Sequence, residues 1–191
     1  MSGTLPYNDG NKENSQSSTP LAERVRPRTL DDFIGQEEAV GVDSVLRRMI
    51  HDDSVNSIIL WGPPGCGKTT IAKLIEENTS ARFVAFSAVT SGVKEVRRII
   101  DEAKALRAQD GRKTILFVDE LHRFNKSQQD AFLPAVEDGT IVMVGATTEN
   151  PSFEVNTPLL SRCRVIVFKP LEVGDILEIL HRAINDSENG L

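Results

Sequence analysis

Between Asn8 and Pro20 the chain carries no large apolar residue, and from Leu21 onward apolar positions recur at the spacings of secondary structure. Residues 1–20 are therefore expected to form a disordered arm, since they offer too little apolar surface to offset the entropy of ordering. Val42, Val45, Leu46, Met49 and Ile50 mark one face of a helix, and the apolar run Ser57 to Trp61 predicts a strand. Ile71, Ala72, Leu74 and Ile75 predict the next helix, and Phe83 to Phe86 a second strand. A third helix places Val93, Val96, Ile99, Ile100, Ala103 and Leu106 on one side, with charges opposite. Beyond it come a strand Ile115 to Val118, a helix near Gln128 to Glu137, strands Ile141 to Gly145 and Val165 to Phe168, and a helix from about Leu171 to Asn185 with Ile176, Leu177, Leu180 and Ile184 on one face. Strands that are apolar at nearly every position and alternate with helices predict an α/β fold with a parallel sheet covered on both faces. No internal repeat is visible.

Composition narrows this little. At 191 residues and 39% hydrophobic, the chain suits one globular domain with appendages. No apolar run approaches the roughly 20 residues of a membrane span, and the N-terminus lacks a charged-then-apolar secretion signal, so an intracellular protein without a membrane partner is expected. Two cysteines, Cys66 and Cys163, exclude a disulfide framework or a zinc finger and read as packing residues. The net charge of −6 argues against a surface uniformly built for nucleic acid and leaves room for a local basic face.

The chemistry is concentrated in four segments. GPPGCGKT, Gly62 to Thr69, follows the first strand, precedes a helix and fits the phosphate-binding pattern GxxxxGK[ST]. Gly62, Gly65 and Gly67 let backbone N–H groups converge on phosphates, Lys68 supplies a point charge, and the positive end of the helix faces the anion. Thr69 can place its hydroxyl on Mg²⁺, and Pro63, Pro64, Cys66 and Thr70 complete the candidate nucleotide-binding segment. ILFVDE, Ile115 to Glu120, ends a strand in two carboxylates at the sheet edge where ligands of open α/β folds bind. Asp119 would hold Mg²⁺ through water and Glu120 would polarise the attacking water; an Asp-Glu pair suits hydrolysis better than transfer or switching. In GATTEN, Gly145 to Asn150, Thr148 or its neighbour Thr147 can reach a γ-phosphate from a strand end, and Arg162 follows a short apolar helical turn. Alone, each of the last three is an ordinary strand end, loop cap or surface charge; their order gives them meaning.

That order, phosphate loop, Asp-Glu strand, Thr-Thr strand end and Ser161-Arg162-Cys163, resembles the AAA+ ATPases of the clamp-loader branch. PLAERVRPRTLDDFIGQEEAVG (Pro20 to Gly41), SAVTSGVKEVR (Ser87 to Arg97), DELHRFNKSQQDAFLP (Asp119 to Pro134) and GATTENPSFEVN (Gly145 to Asn156) closely resemble the RarA/MgsA family, whose eukaryotic relatives are the Werner-helicase-interacting ATPases. The likeness covers about residues 20–185. It implies a P-loop αβα sandwich with a five-stranded parallel sheet in the order 5-1-4-3-2, an ATPase core over residues 21–170, and only the first helix of a helical lid over 171–191.

The resemblance also implies residue roles. Val25, Arg26 and Pro27, with Ile34 and Gly35, match the segment lining the adenine pocket. Ser87 matches a polar position that can hold the catalytic Glu away from its water, and Thr148 matches sensor 1. Arg162 matches the arginine finger that acts in trans on a neighbour's ATP, so hydrolysis is expected to need a homo-oligomer. The cofactors implied are ATP and Mg²⁺. The partners implied are DNA at stalled replication forks, as single-strand gaps or ends, and replication proteins such as single-strand-binding protein. Arg97, Arg98, Lys104 and Arg107, with Arg112, Lys113, Arg123 and Lys126, are the candidate basic lining. SAVTSGVKEVR leans toward bacterial members, hence cytoplasm or nucleoid, with the nucleus expected for a eukaryotic host. Two readings stay open: an ATP-hydrolysing remodeller of replication intermediates, and a nucleotide-gated interaction module without turnover of its own.

Overall fold

The computed structural model describes residues 19–87 and 92–190, so the expected disordered arm lies, up to Ser18, outside the described residues. Five parallel strands form one sheet: β1 (Ile58–Trp61), β2 (Arg82–Ser87), β3 (Thr114–Asp119), β4 (Ile141–Thr147) and β5 (Arg164–Val167). Their order is β2-β3-β4-β1-β5, the expected 5-1-4-3-2 read from the opposite edge. Helices α1 (Leu21–Arg24), α2 (Glu37–Val40) and α3 (Val45–His51) precede β1, and α4 (Lys68–Glu77) and α5 (Val93–Asp110) flank β2. A 3₁₀ turn, Leu121–Arg123, and α6 (Lys126–Glu137) follow β3; α7 (Pro151–Glu154) and α8 (Thr157–Leu160) follow β4; α9 (Val173–Asn185) follows β5.

Alternation along the strands divides the core into two layers. Ile58 and Leu60 of β1, Ile115 and Phe117 of β3, and Val142, Val144 and Ala146 of β4 face α3 and α4, where they meet Leu46, Ile50, Ile71 and Leu74. The intervening residues Ile59, Leu116, Val118, Ile141 and Met143 face the other way, toward Val96, Ile99, Ala103, Phe132 and Leu159. The central strands are buried on both faces and need apolar residues at every position, whereas the edge strands β2 and β5 keep several residues exposed. Phe86, Phe124 and Phe132 form a three-ring contact with centroids 5.4–6.0 Å apart.

Side-chain caps set several helix starts. Ser44 accepts the N–H of Arg47 at the head of α3, and Asn125 and Gln128 form a reciprocal capping box at the head of α6. The Ser44 cap corrects one expectation: Val42 lies before the helix and is 77% exposed, because the chain becomes helical only after the cap.

The last helix is joined to the N-terminal segment mainly by polar clips. Arg182 donates to the Asp32 carbonyl at 2.7 Å and pairs with the Asp32 carboxylate at 2.6 Å. Gln36 donates to the Lys169 carbonyl at 2.6 Å and accepts the Lys169 N–H at 2.9 Å. A Cβ at Gly35 would sit 2.9 Å from the Asp175 carboxylate, so a larger residue there would press on the head of α9. Ile176, Leu177, Leu180 and Ile184, the apolar face expected on this helix, are exposed.

Two outcomes test this packing. Leu116→Ala is expected to cost about 2–5 kcal/mol, read as a lower urea midpoint at unchanged slope, and Val42→Ala less than about 0.5 kcal/mol. The hydrogen bond from Thr29, followed by the pairing with Arg182, holds the Asp32 carboxyl below its ordinary 3.8. A depressed carboxyl stabilises the fold above its unfolded pKa, and that contribution is lost as the pH falls through the folded value. Asp32→Asn should therefore unfold at a lower urea concentration at pH 7 and lose less on acidification below about pH 4, as urea midpoints across that range would record.

Candidate functional site

The loop between β1 and α4 is built by three glycines with two different jobs. Gly65 and Gly67 have φ of 76° and 102°, the left-handed region that side chains avoid. Gly62 is needed for closeness instead: a Cβ there would lie 2.4 Å from the Phe168 carbonyl oxygen. Gly67 is close-packed as well, since its Cβ would meet the Phe33 ring at 2.4 Å. Gly67 caps α4 without a side chain, so the first-turn N–H groups of the helix stay turned toward the loop. Lys68 is buried and folds back, its ammonium donating to the carbonyls of Gly62 (2.7 Å) and Pro63 (2.8 Å). The loop thus satisfies internally a cation that is in position to serve an anion.

The neighbouring strands bring the remaining groups to the same edge. Gly62 donates its N–H to the Thr147 carbonyl at 3.2 Å, which fixes the end of β4 beside the loop. Asp119 ends β3, opposite Ser87 at the end of β2. One Asp119 oxygen accepts the Glu120 N–H at 3.0 Å. Glu120 itself has φ 54° and ψ 48°, a left-handed conformation costing a non-glycine residue about 1–2 kcal/mol. That turn aims its carboxylate at the ring of His122, whose Nε2 lies 3.1 Å from Glu120 Oε2 and whose Nδ1 lies 3.1 Å from Thr147 Oγ1. Of the two threonines, Thr147 is buried and its hydroxyl accepts the Glu149 N–H at 3.1 Å, the role of a loop cap; Thr148 is half-buried beyond it.

Val25, Arg26, Pro27 and Ile34 line a cavity of about 240 Å³ together with Gly65, Cys66, Gly67 and Thr70. Its third wall comes from Leu171, Ile179 and Arg182. Gly35 is not in the lining and packs against the head of α9. Arg26 donates to the Thr70 hydroxyl at 3.1 Å and to Glu23 at 2.7 Å, and Glu23 also pairs with Lys73. The Lys73 and Arg26 hydrogen bonds hold the Glu23 carboxyl below its ordinary range. Arg162 stands apart: it donates to the Pro158 carbonyl (2.7 Å) and Ser161 hydroxyl (3.0 Å) and pairs with Glu137 of α6. None of these contacts is to the phosphate loop.

Thr69, exposed on the first turn of α4, and Asp119 offer the hard oxygen donors that suit Mg²⁺. Among the described residues no group of three or more His, Cys, Asp or Glu side chains forms a metal cage. The expected basic lining is partly engaged within the chain. Arg98 is held by Glu95 and Glu102, and Arg107 donates to the Asp138 carbonyl at 2.8 Å. Burial pushes the Cys163 thiol up to about 12, so it stays protonated and unreactive. No helix among the described residues is long and apolar enough to cross a membrane.

Sequence reasoning passed over Phe33, His122 and Arg182. Each lies in a segment quoted or read for other reasons, and no spacing rule marks a ring above a glycine or an imidazole beside a carboxylate two residues away.

Known proteins resemble this chain in sequence and in fold. The chain is 54% identical over 172 residues to replication-associated recombination protein A of Haemophilus influenzae, covering 90% of this chain and 38% of that protein. It is 54% identical over 171 residues to the Escherichia coli protein of the same name, again covering 90% and 38%, and 47% identical over 169 residues to the ATPase WRNIP1 of Dictyostelium discoideum, covering 88% and 19%. The chain therefore spans well under half the length of these relatives. Among solved structures, the Holliday junction branch migration motor RuvB of Thermotoga maritima superposes with a TM-score of 0.67 at 30% identity, over 84% of this chain and 54% of that one. Residues 58–171, the segment from β1 to four residues past β5, match the model of the ATPase family associated with various cellular activities, and the chain belongs to that family, AAA.

Proposed function

We propose that this chain is the nucleotide-binding and hydrolysing core of an ATPase that acts on DNA in replication-associated recombination and repair. The observation that carries the proposal is that Asp119, Glu120 and Thr148 stand at or just past the ends of β3 and β4, beside the loop that holds Lys68 and glycines at φ 76° and 102°. ATP enters with its base in the cavity between Val25, Pro27, Ile34 and α9 and its phosphates along the N–H groups of Gly65 to Thr69. Lys68 exchanges the Gly62 and Pro63 carbonyls for phosphate oxygens, so the desolvation of the ammonium is already met before ligand arrives. Thr69 and Asp119 would hold Mg²⁺, which when bound neutralises phosphate charge. Glu120 takes a proton from the water that attacks the γ-phosphate, and Thr148 orients that phosphate from the end of β4.

Arg162 acts on the ATP of a neighbouring copy, which agrees with its contacts lying away from its own phosphate loop. The relatives' names support replication-associated recombination as the setting; DNA at replication intermediates, single-strand-binding protein as a partner and the nucleoid of the cytoplasm as the location rest on the family resemblance alone. The competing reading is a nucleotide-gated module without turnover. It is favoured by Arg162 making no contact with its own phosphate loop, which leaves the isolated chain with half of a shared site.

Turnover measured with and without forked DNA, together with particle mass in solution, separates the two. The proposal expects a DNA-stimulated oligomer; a monomer that binds ATP without hydrolysing it supports the module. Lys68→Ala should abolish binding of a fluorescent ATP analogue. Glu120→Gln should bind it normally and lose at least about 100-fold in kcat. Arg162→Ala should spare binding and lose about 10³–10⁵ in kcat, and normal hydrolysis by that variant would remove the trans assignment.

A further inference from the structure

We propose that His122 is a positioning residue for the hydrolytic step: it holds the Glu120 carboxylate and ties it, through Thr147, to the phosphate loop. The inference rests on the reading above that Glu120 polarises the attacking water.

The local fold gives the ring little freedom. Glu120 turns left-handed, and the Arg123 N–H then donates to the Glu120 carbonyl at 2.8 Å and the Phe124 N–H to the Leu121 carbonyl at 3.1 Å. Leu121, fully buried between them, rests on β4 where Gly145 leaves room; a Cβ on Gly145 would lie 2.8 Å from its Cδ2. Leu121 therefore anchors the turn, and His122, with a side chain only 17% exposed, stands between the ends of β3 and β4.

Proton accounting sets the direction of the contacts. A carboxylate oxygen only accepts, so the imidazole Nε2, 3.1 Å from Glu120 Oε2, must carry the hydrogen. In the neutral ring Nδ1 then accepts the hydroxyl hydrogen of Thr147 at 3.1 Å. In the imidazolium Nδ1 donates to Thr147, which turns its hydrogen to the Glu149 carbonyl 3.3 Å away. In both states Glu120 accepts from His122, and Thr147 keeps the Glu149 N–H satisfied.

Thr147 is also the residue whose carbonyl accepts the Gly62 N–H, and Gly62 in turn accepts from Lys68 at 2.7 Å. The head of the phosphate loop and the group that meets the water thus share one frame, Gly62–Thr147–His122–Glu120, which does not depend on Lys68 keeping its contact with Gly62. Glu120 needs such a tie because its side chain is 41% exposed, and its other pairing, with the exposed Arg123 whose Nε lies 3.9 Å from the same Oε2, is long and open to water. Held by Oε2, it presents Oε1 to the water, and a reacting group displaced by about 1 Å loses on the order of 100-fold.

The test is steady-state ATP hydrolysis by the full chain under the conditions that give the wild type its highest turnover, alongside ATP affinity for each variant. His122→Ala should lower kcat about 10- to 100-fold with KM and ATP affinity within twofold of wild type, the unchanged affinity also showing that the variant is folded. His122→Gln, whose amide N–H can reach Glu120, should recover most of the loss. Thr147→Val should lower kcat less, and adding it to His122→Ala should lower it no further, because both act through the same contact. In a Glu120→Gln background His122→Ala should have no effect on the residual rate. The proposal is overturned if His122→Ala keeps kcat within twofold of an active wild type, or if kcat and ATP affinity fall together, the signature of a purely structural role. A wild type with no turnover under any condition overturns the reading of Glu120 and this inference with it, whereas an active wild type beside an unaffected His122→Ala overturns this inference alone.

Discussion

Strand β1 is hydrogen-bonded on both sides to parallel neighbours, and the site depends on how the chain leaves that position. Trp61 accepts the Phe168 N–H at 2.7 Å on one side, and Gly62 donates to Thr147 at 3.2 Å on the other. The phosphate loop therefore begins between two strands that hold it by the backbone, at a point so narrow that a Cβ on Gly62 would overlap the Phe168 carbonyl. Because all five strands run the same way, every group at their carboxyl ends faces that exit: Ser87, Asp119, Thr147 and Trp61 lie along one edge. A single antiparallel neighbour would have carried its chemistry to the far side of the molecule. The register thus does for the candidate site what the apolar residues do for the core, and β1 contributes to both core layers through Ile58, Ile59 and Leu60.

The second half of the pocket is held differently. Arg26–Thr70 joins the N-terminal segment to the first turn of α4, and Arg182–Asp32 and Gln36–Lys169 join it to α9 and to the stretch before α9, contacts between residues 44 to 150 positions apart in the chain. These are partly exposed polar contacts, each contributing on the order of 1 kcal/mol, and the apolar face of α9 buries little. The cavity thus has one wall anchored in the sheet edge and another held by these polar contacts together with the packing of Leu30 and Phe33 against the core. Ligand seated between the two walls would stabilise the arrangement in which both are in contact with it.

How much of this was legible depends on the length over which each feature is encoded. The strands and the long helices were readable because both core layers impose a period over several residues, and the phosphate loop was readable because its steric demands fix residue types at fixed spacing. Short elements such as α1, α2 and α7 hold four residues each, too few to show a period. Val42 misled because its apolar side chain continues the pattern of α3 while Ser44 ends the helix before reaching it. The two roles of the glycines were also hidden: the pattern asks for glycine at 62, 65 and 67 alike, and only the fold shows that Gly62 answers a crowding problem and Gly65 a dihedral one. His122 was present in a quoted string yet silent, since its partners are a turn away at Glu120 and a strand away at Thr147. The charges of α5 posed the reverse problem. Arg98 looked available for phosphate, but Glu95 and Glu102 lie three and four residues away on the same helix face and take it.

The contact made by Arg162 looks at first like an obstacle to a role in trans. Its guanidinium is paired with Glu137 and hydrogen-bonded to Pro158 and Ser161, so a neighbour's nucleotide would have to draw it away. The magnitudes favour release. Arg162 and Glu137 are 39% and 41% exposed, and ion pairs with that access to water contribute about 0–1 kcal/mol. An arginine finger that speeds phosphoryl transfer 10³–10⁵-fold supplies about 4–7 kcal/mol to the transition state, several times what the pair retains. On the proposed role in trans, the pair would not lock Arg162; it keeps a long side chain in one place on the surface. Fixing Arg162 in advance lowers the entropy still to be lost on docking, so the contact that seems to withhold the residue also prepares it.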